Sequence, residues 1–74
     1  DLNVTLEPDT ILYPGCSLLG KTRVDRACIL GPNVFLQDCI LAEGVQASNV
    51  EAYRCRVSAG KHLTAFTVYV GQDI

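Results

Sequence analysis

Aliphatic residues recur on a strict six-residue beat at Leu6, Leu12, Leu18, Val24, Leu30 and Leu36. Two residues ahead of the later five stand Thr10, Cys16, Thr22, Cys28 and Val34, all small or β-branched. Pro8, Pro14 and Pro32 share one phase of the same period. Self-similarity at a short fixed period specifies a solenoid, in which each turn buries its apolar side against the next. Alternate residues of a strand share a face. Thr10 with Leu12, Cys16 with Leu18, Thr22 with Val24 and Cys28 with Leu30 therefore form inward pairs, and the residue between each pair points out.

After each inward aliphatic the chain turns polar or tight. Pro8 with Asp9, Pro14 with Gly15, Gly20, and Gly31 through Asn33 are corner chemistry. Strands this short, with a corner every six residues, suit a parallel coil with three flat sides in which residues 18 apart stack. Prolines, glycines and β-branched residues exclude helix. The expected fold is all-β: a left-handed parallel β-helix of hexapeptide repeats, about four coils, forming one domain over residues 1–74. The left hand comes from the hexapeptide class and is an exception to the right-handed crossover rule. The beat slips once, between Leu36 and Leu41, and resumes at 41–44, at 57–60 and over 63–68. Residues 47–56 fit poorly because Glu51, Arg54 and Arg56 crowd the inward positions, so an irregular side is expected there.

Composition narrows the function classes. The 74-residue chain carries a net charge of −2, with Lys and Arg scattered singly, so no basic patch awaits nucleic acid or an anionic membrane. Its apolar runs are too short for a membrane span. It begins at Asp1 and contains no methionine, which suggests a piece of a longer chain. Cys16 and Cys28 occupy the small inward slot that Thr10 and Thr22 also use, and the four cysteines form no C-x-x-C pair. They read as reduced, structural thiols rather than disulfides or zinc ligands, as expected of a cytoplasmic protein.

The order of corners resembles the carboxy-terminal domain of a bacterial bifunctional family. These are the N-acetylglucosamine-1-phosphate uridyltransferase/glucosamine-1-phosphate acetyltransferases. The stretches that carry the resemblance are Val4, Thr5, Leu6, Glu7, Pro8 with Thr10, then Pro14 and Gly15, then Leu19, Gly20, Lys21 and Thr22. They continue through Leu30, Gly31, Pro32, Asn33, through Leu36, Gln37, Asp38, and through Leu41, Ala42, Glu43, Gly44. The resemblance implies a trimeric hexapeptide-repeat acetyltransferase β-helix, with acetyl-coenzyme A and magnesium used by the parent family but no cofactor held in this chain. It also implies that this stretch is scaffold and trimer contact. Val70 stands where the family has an arginine that contacts the sugar phosphate, and the family's catalytic histidine lies further along. No catalytic, cofactor-binding or metal residue is carried over.

The residues themselves offer little independent chemistry. His62 is the sole histidine, and the repeat register puts it at an outward or corner position. A lone base without a second substrate-binding element is a weak catalytic signal. A catalytic zinc needs three protein ligands, which one histidine does not supply. Gly31 with Pro32 and Asn33 is no phosphate loop, since no helix follows. Lys21, Arg23 and Arg26 fall on different sides of a corner and read as solvated charge. Ile11 and Ile29, 18 apart, should stack on one outer face, with Phe35 on another near Ser17. An outer aliphatic stripe marks an interface, here expected to be that of a homotrimer. Two other readings remain open: a non-enzymatic β-helix assembly module, and the regulatory β-helix tail of another sugar-phosphate nucleotidyltransferase.

Overall fold

The computed structural model of the chain describes residues 4–64 and 66–74. Among the described residues twelve strands follow one another: β1 (Thr5–Leu6), β2 (Ile11–Leu12), β3 (Cys16–Leu19), β4 (Arg23–Val24), β5 (Ile29–Leu30), β6 (Val34–Gln37), β7 (Ile40–Leu41), β8 (Gln46–Ala47), β9 (Val50–Tyr53), β10 (Arg56–Val57), β11 (His62–Leu63) and β12 (Thr67–Val70). Every third strand joins the same sheet. The result is three four-stranded sheets, ordered β1-β4-β7-β10, β2-β5-β8-β11 and β3-β6-β9-β12. All strand pairs are parallel. No helix occurs among the described residues. The chain is a parallel β-solenoid of about four turns, matching the hexapeptide β-helix expected from the sequence. The left hand expected for it comes from the hexapeptide class, not from strand order.

The aliphatic beat becomes three inward ladders. Leu6, Val24, Leu41 and Val57 stack in register; so do Leu12, Leu30, Ala47 and Leu63, and so do Leu18, Leu36, Ala52 and Tyr69. Within the inner coils these residues are sealed from water. Leu30, Leu36 and Ala52 are 0% exposed, and Val24 and Leu41 are 1%. The hexad at 63–68 closes as expected from Leu63 to inward Tyr69; its Ala65 lies outside the described residues.

Residues 47–56 depart from expectation. Strand β9 makes a regular side, paired on both edges, although the corner that leads into it is one residue short. The beat shortens to five not only between Leu36 and Leu41 but also from Ala47 to Ala52 and from Ala52 to Val57. Those two further slips shift the phase. Val50, Ala52, Cys55 and Val57 then face inward, while Glu51, Arg54 and Arg56 are exposed. A side chain's face is set by strand parity, so a one-residue slip moves every following charge outward.

The described corners turn through left-handed residues that stack as columns, with Gly31 a second such residue in the corner of Asn33. Asp9, Ala27, Gly44 and Gly60 make one column; Gly20, Asp38, Arg54 and Gly71 make another; Gly15, Asn33 and Asn49 belong to the third. Positive φ favours glycine, and Asn or Asp tolerate it best among the rest. At Gly20 a second reason applies. A Cβ there would overlap the Asp38 carboxylate, which accepts the Lys21 amide N–H at 2.8 Å.

The two ends of the coil differ. On the last turn the Arg56 amide donates to Gln72 O at 2.9 Å, and the Ser58 amide to Ile74 O at 2.8 Å. Ile74 thus lies along β10 and packs on the core. The outer edge of β12, near Tyr69 and Val70, has no strand partner among the described residues. At the first turn, Leu6 and Leu12 keep their inward register yet remain 44% and 42% exposed.

Candidate functional site

The small inward slot is chemically more specific than the sequence indicated. Thr10 Oγ1 donates to Glu7 O at 2.9 Å and Thr22 Oγ1 to Leu19 O at 2.7 Å. The thiols of Cys16, Cys28 and Cys39 reach Leu30 O, Ala42 O and Ala52 O on the following coil, at 3.4, 3.2 and 3.3 Å. At these five positions the slot holds a small donor that meets a corner carbonyl, while Val34, Val45 and Val50 fill it by size alone. The alternation of Thr and Cys was the available signal. All four thiols are free. Burial pushes the Cys16, Cys28 and Cys39 thiols above their ordinary value, outweighing backbone amides that pull the other way. Raised thiols are poor nucleophiles and poor metal ligands at neutral pH.

His62 opens β11 and points outward, exposed, in register with Gln46 and, beyond it, Ile29 and Ile11. Its outward register agrees with the sequence reading. Among the described residues no group of three His, Cys, Asp or Glu side chains is placed to hold a metal. Lys21, Arg23 and Arg26 are all exposed, and Arg26 approaches Asp9 at 3.9 Å. Gly31, Pro32 and Asn33 form a corner between strands, with no helix behind it. A groove of about 270 Å³ beside β1, β4 and β7 holds Glu7, Arg23 and Asp25, charges of both signs on an open face.

The outer faces carry more information. Ile11 and Ile29 stack in register as expected. Ser17 and Phe35 pair on a different face, also as expected. The sequence reading passed over the rest of that second face. Leu19, Phe35, Tyr53, Val68 and Val70 all point outward from β3, β6, β9 and β12. Leu19, Val68 and Val70 are 38%, 56% and 50% exposed. The Phe35 and Tyr53 rings meet at 5.6 Å between centroids, and Tyr53 Oη donates to Glu51 Oε1 at 3.1 Å. That bond holds the phenol proton and raises the Tyr53 pKa. Two slips precede Tyr53 and three precede Val68 and Val70, which hid their alignment with Leu19 and Phe35 from an eighteen-residue count.

The ladders, corner columns and donor slots define a hexapeptide-type parallel β-solenoid. Comparison with known proteins narrows this further. The chain is similar to the bifunctional protein GlmU of Mycobacterium leprae (strain Br4923), at 30% identity over 67 residues. Over the same length it is 34% identical to the bifunctional protein GlmU of Mycobacterium sp. (strain KMS). It is 30% identical to that of Mycobacterium tuberculosis (strain ATCC 25177 / H37Ra). These alignments cover 90% of the chain but 14% of each relative, so the chain spans about one seventh of their length. No protein-family model matches it. Similarity and solenoid together fit a stretch of the carboxy-terminal β-helix of GlmU. No helix among the described residues is long and apolar enough to cross a membrane.

Proposed function

We propose that this chain provides coils of the acetyltransferase β-helix of a GlmU-type bifunctional protein, in a left-handed coil. Its role there is scaffold and subunit contact rather than chemistry. The parent reaction is acetyl transfer from acetyl-coenzyme A to the amine of glucosamine-1-phosphate, followed by magnesium-dependent uridylyl transfer elsewhere in the protein. The observation that supports the reading is an in-register solenoid whose alignment with GlmU runs through 90% of the chain. A two-substrate transfer needs a positioned base, donors for the phosphate and a groove for the pantetheine arm. In this chain His62 points outward, and the resemblance sets Val70 where the family has its arginine.

The contact is a cytoplasmic homotrimer that uses the face bearing Ile11 and Ile29. Ile11 is 48% exposed and stacks on Ile29, an apolar pair in a column that continues with Gln46 and His62, and association would cover it. Sedimentation of the wild type should give a trimer, and of an Ile11→Lys, Ile29→Lys double variant a monomer. A monomeric wild type, or an unaltered oligomer in the variant, rejects this face. The chain alone, incubated with acetyl-coenzyme A and glucosamine-1-phosphate, should release no free thiol above background. Turnover lost in His62→Ala would reject the scaffold role.

A further inference from the structure

One corner of the solenoid is uneven. Leu12 precedes Cys16 by four positions, Leu30 precedes Val34 by four, and Leu63 precedes Thr67 by four, but Ala47 precedes Val50 by three. The third coil is thus one residue short between fuller neighbours. A cleft of about 340 Å³ opens there, lined by Asn33, Asn49, Glu51, Phe66, Thr67 and Val68. Its volume is at the low end for ligand sites, enough for one small group.

Two of these side chains break local rules. Glu51 stands outward between its in-register neighbours Phe35 and Val68, a carboxylate set in an otherwise apolar stretch of its column. No Lys or Arg pairs with it among the described residues, and the phenol of Tyr53 is its hydrogen-bond partner. Phe66, 87% exposed, holds a bare ring beside the same cleft. Asn33 Nδ2 donates to Asn49 Oδ1 at 3.1 Å, and that amide oxygen keeps a second lone pair. An uncompensated charge in an apolar stripe lowers local consistency, and such departures concentrate at functional positions.

We propose that this cleft binds a primary alkylammonium group, with Glu51 as its counter-ion and the Phe66 ring as its cation–π face. The group belongs either to a free amine or to a lysine side chain. An ammonium has three donors and no acceptor. The cleft answers with the Glu51 carboxylate and the Asn49 amide oxygen, and Glu51 is its one charged lining residue. The alkyl chain lies along Val68, and an aromatic face attracts the cation from the other side. This site is independent of the acetyltransferase reading and stands or falls by itself.

The test is a ¹⁵N–¹H NMR titration of the 74-residue chain with n-butylammonium, with n-butanol as the neutral isostere. Saturable shifts are expected at the Asn49, Glu51 and Thr67 amides, weakening with added salt. Glu51→Gln should weaken binding about fivefold, the ceiling for an exposed ion pair. Phe66→Ala should weaken it about threefold. Both side chains are exposed, so circular dichroism should stay unchanged. Cadaverine and Nα-acetyl-lysine methylamide separate the sources. Tighter binding of the first indicates a free amine, and of the second a lysine-bearing partner. Equal shifts with n-butanol, undiminished binding in Glu51→Gln, or no saturable shift would each overturn the proposal.

Discussion

The first coil and the inner coils carry the same sequence pattern and meet different fates. Leu12 and Leu30 are in-register partners on adjacent turns, flanked by the same kind of slot residue. Leu30 is 0% exposed and Leu12 42%. Nothing local distinguishes them. Leu30 has β2 on one side and β8 on the other, whereas Leu12 has only β5. In a solenoid, burial is conferred by neighbours, and stability is close to a sum of interfaces between turns. Pattern tells which way a side chain points. Stacking decides whether it is dry.

The largest effect expected from that difference is Leu30→Asp against Leu12→Asp. A carboxylate at Leu30 has no partner inside a closed coil, at a cost of several kcal/mol against a total stability of about 5–15. Circular dichroism should show lost strand content. At Leu12 the same carboxylate reaches water at the open turn, and most strand content should persist. Equal unfolding in both would mean that the first turn is sealed. A gentler version is truncation to alanine. Leu30→Ala should cost about 2–5 kcal/mol in denaturant unfolding, with Leu12→Ala nearer about 1.

Much of this architecture was legible in the chain. The six-residue beat from Leu6 to Leu36 fixed the inward ladders, the corners and the outward stacking of Ile11 on Ile29. Legibility failed where the period failed. Small residues stand at the inward positions of the third coil, where Ala47 and Ala52 replace the expected aliphatics. An alanine marks a core position faintly, so two slips of phase passed unseen and charged Glu51 and Arg56 seemed to point inward. The same slips hid the apolar face around Phe35 and Tyr53, and the short corner beside Asn49. Exposure of Leu6 and Leu12 was illegible for a different reason. It depends on which turns are stacked, a property of no single hexad.

Hydrogen bonding in the small slot gives a smaller contrast between the same two regions. Thr22 is 0% exposed. Its hydroxyl donates to Leu19 O at 2.7 Å, while its 3.5 Å approach to Leu36 O is too long to count for much. Thr22→Val removes one of two donors to the part-buried Leu19 carbonyl, which keeps the Asp38 N–H at 3.2 Å, and should cost about 0.5–1.5 kcal/mol. Thr10→Val loses an equivalent bond to Glu7 O near water, which replaces it. Its expected cost is below about 0.5 kcal/mol.

The smallest expected effects lie in the thiols. Cys16 belongs to the first coil and is partly exposed, while Cys28, Cys39 and Cys55 are buried. A neutral alkylating agent should modify Cys16 first, the others following only as the coil opens. Burial raises the folded pKa of Cys16, Cys28 and Cys39 above the ordinary 9.0. Below 9.0 these thiols are protonated in both states, and their contribution to stability is fully present. As pH climbs past that value the unfolded chain releases protons that the folded chain retains. Unfolding is thereby favoured, and the contribution is lost as pH rises through the folded values. Tyr53 carries the same sign, but its ordinary value is 10.0, so it enters later. Denaturation midpoints should therefore hold steady up to about pH 9 and fall for the wild type above it. The fall should shrink in Cys28→Thr, which keeps the donor and removes the titration. An equal decline in that variant would place the alkaline sensitivity elsewhere in the coil.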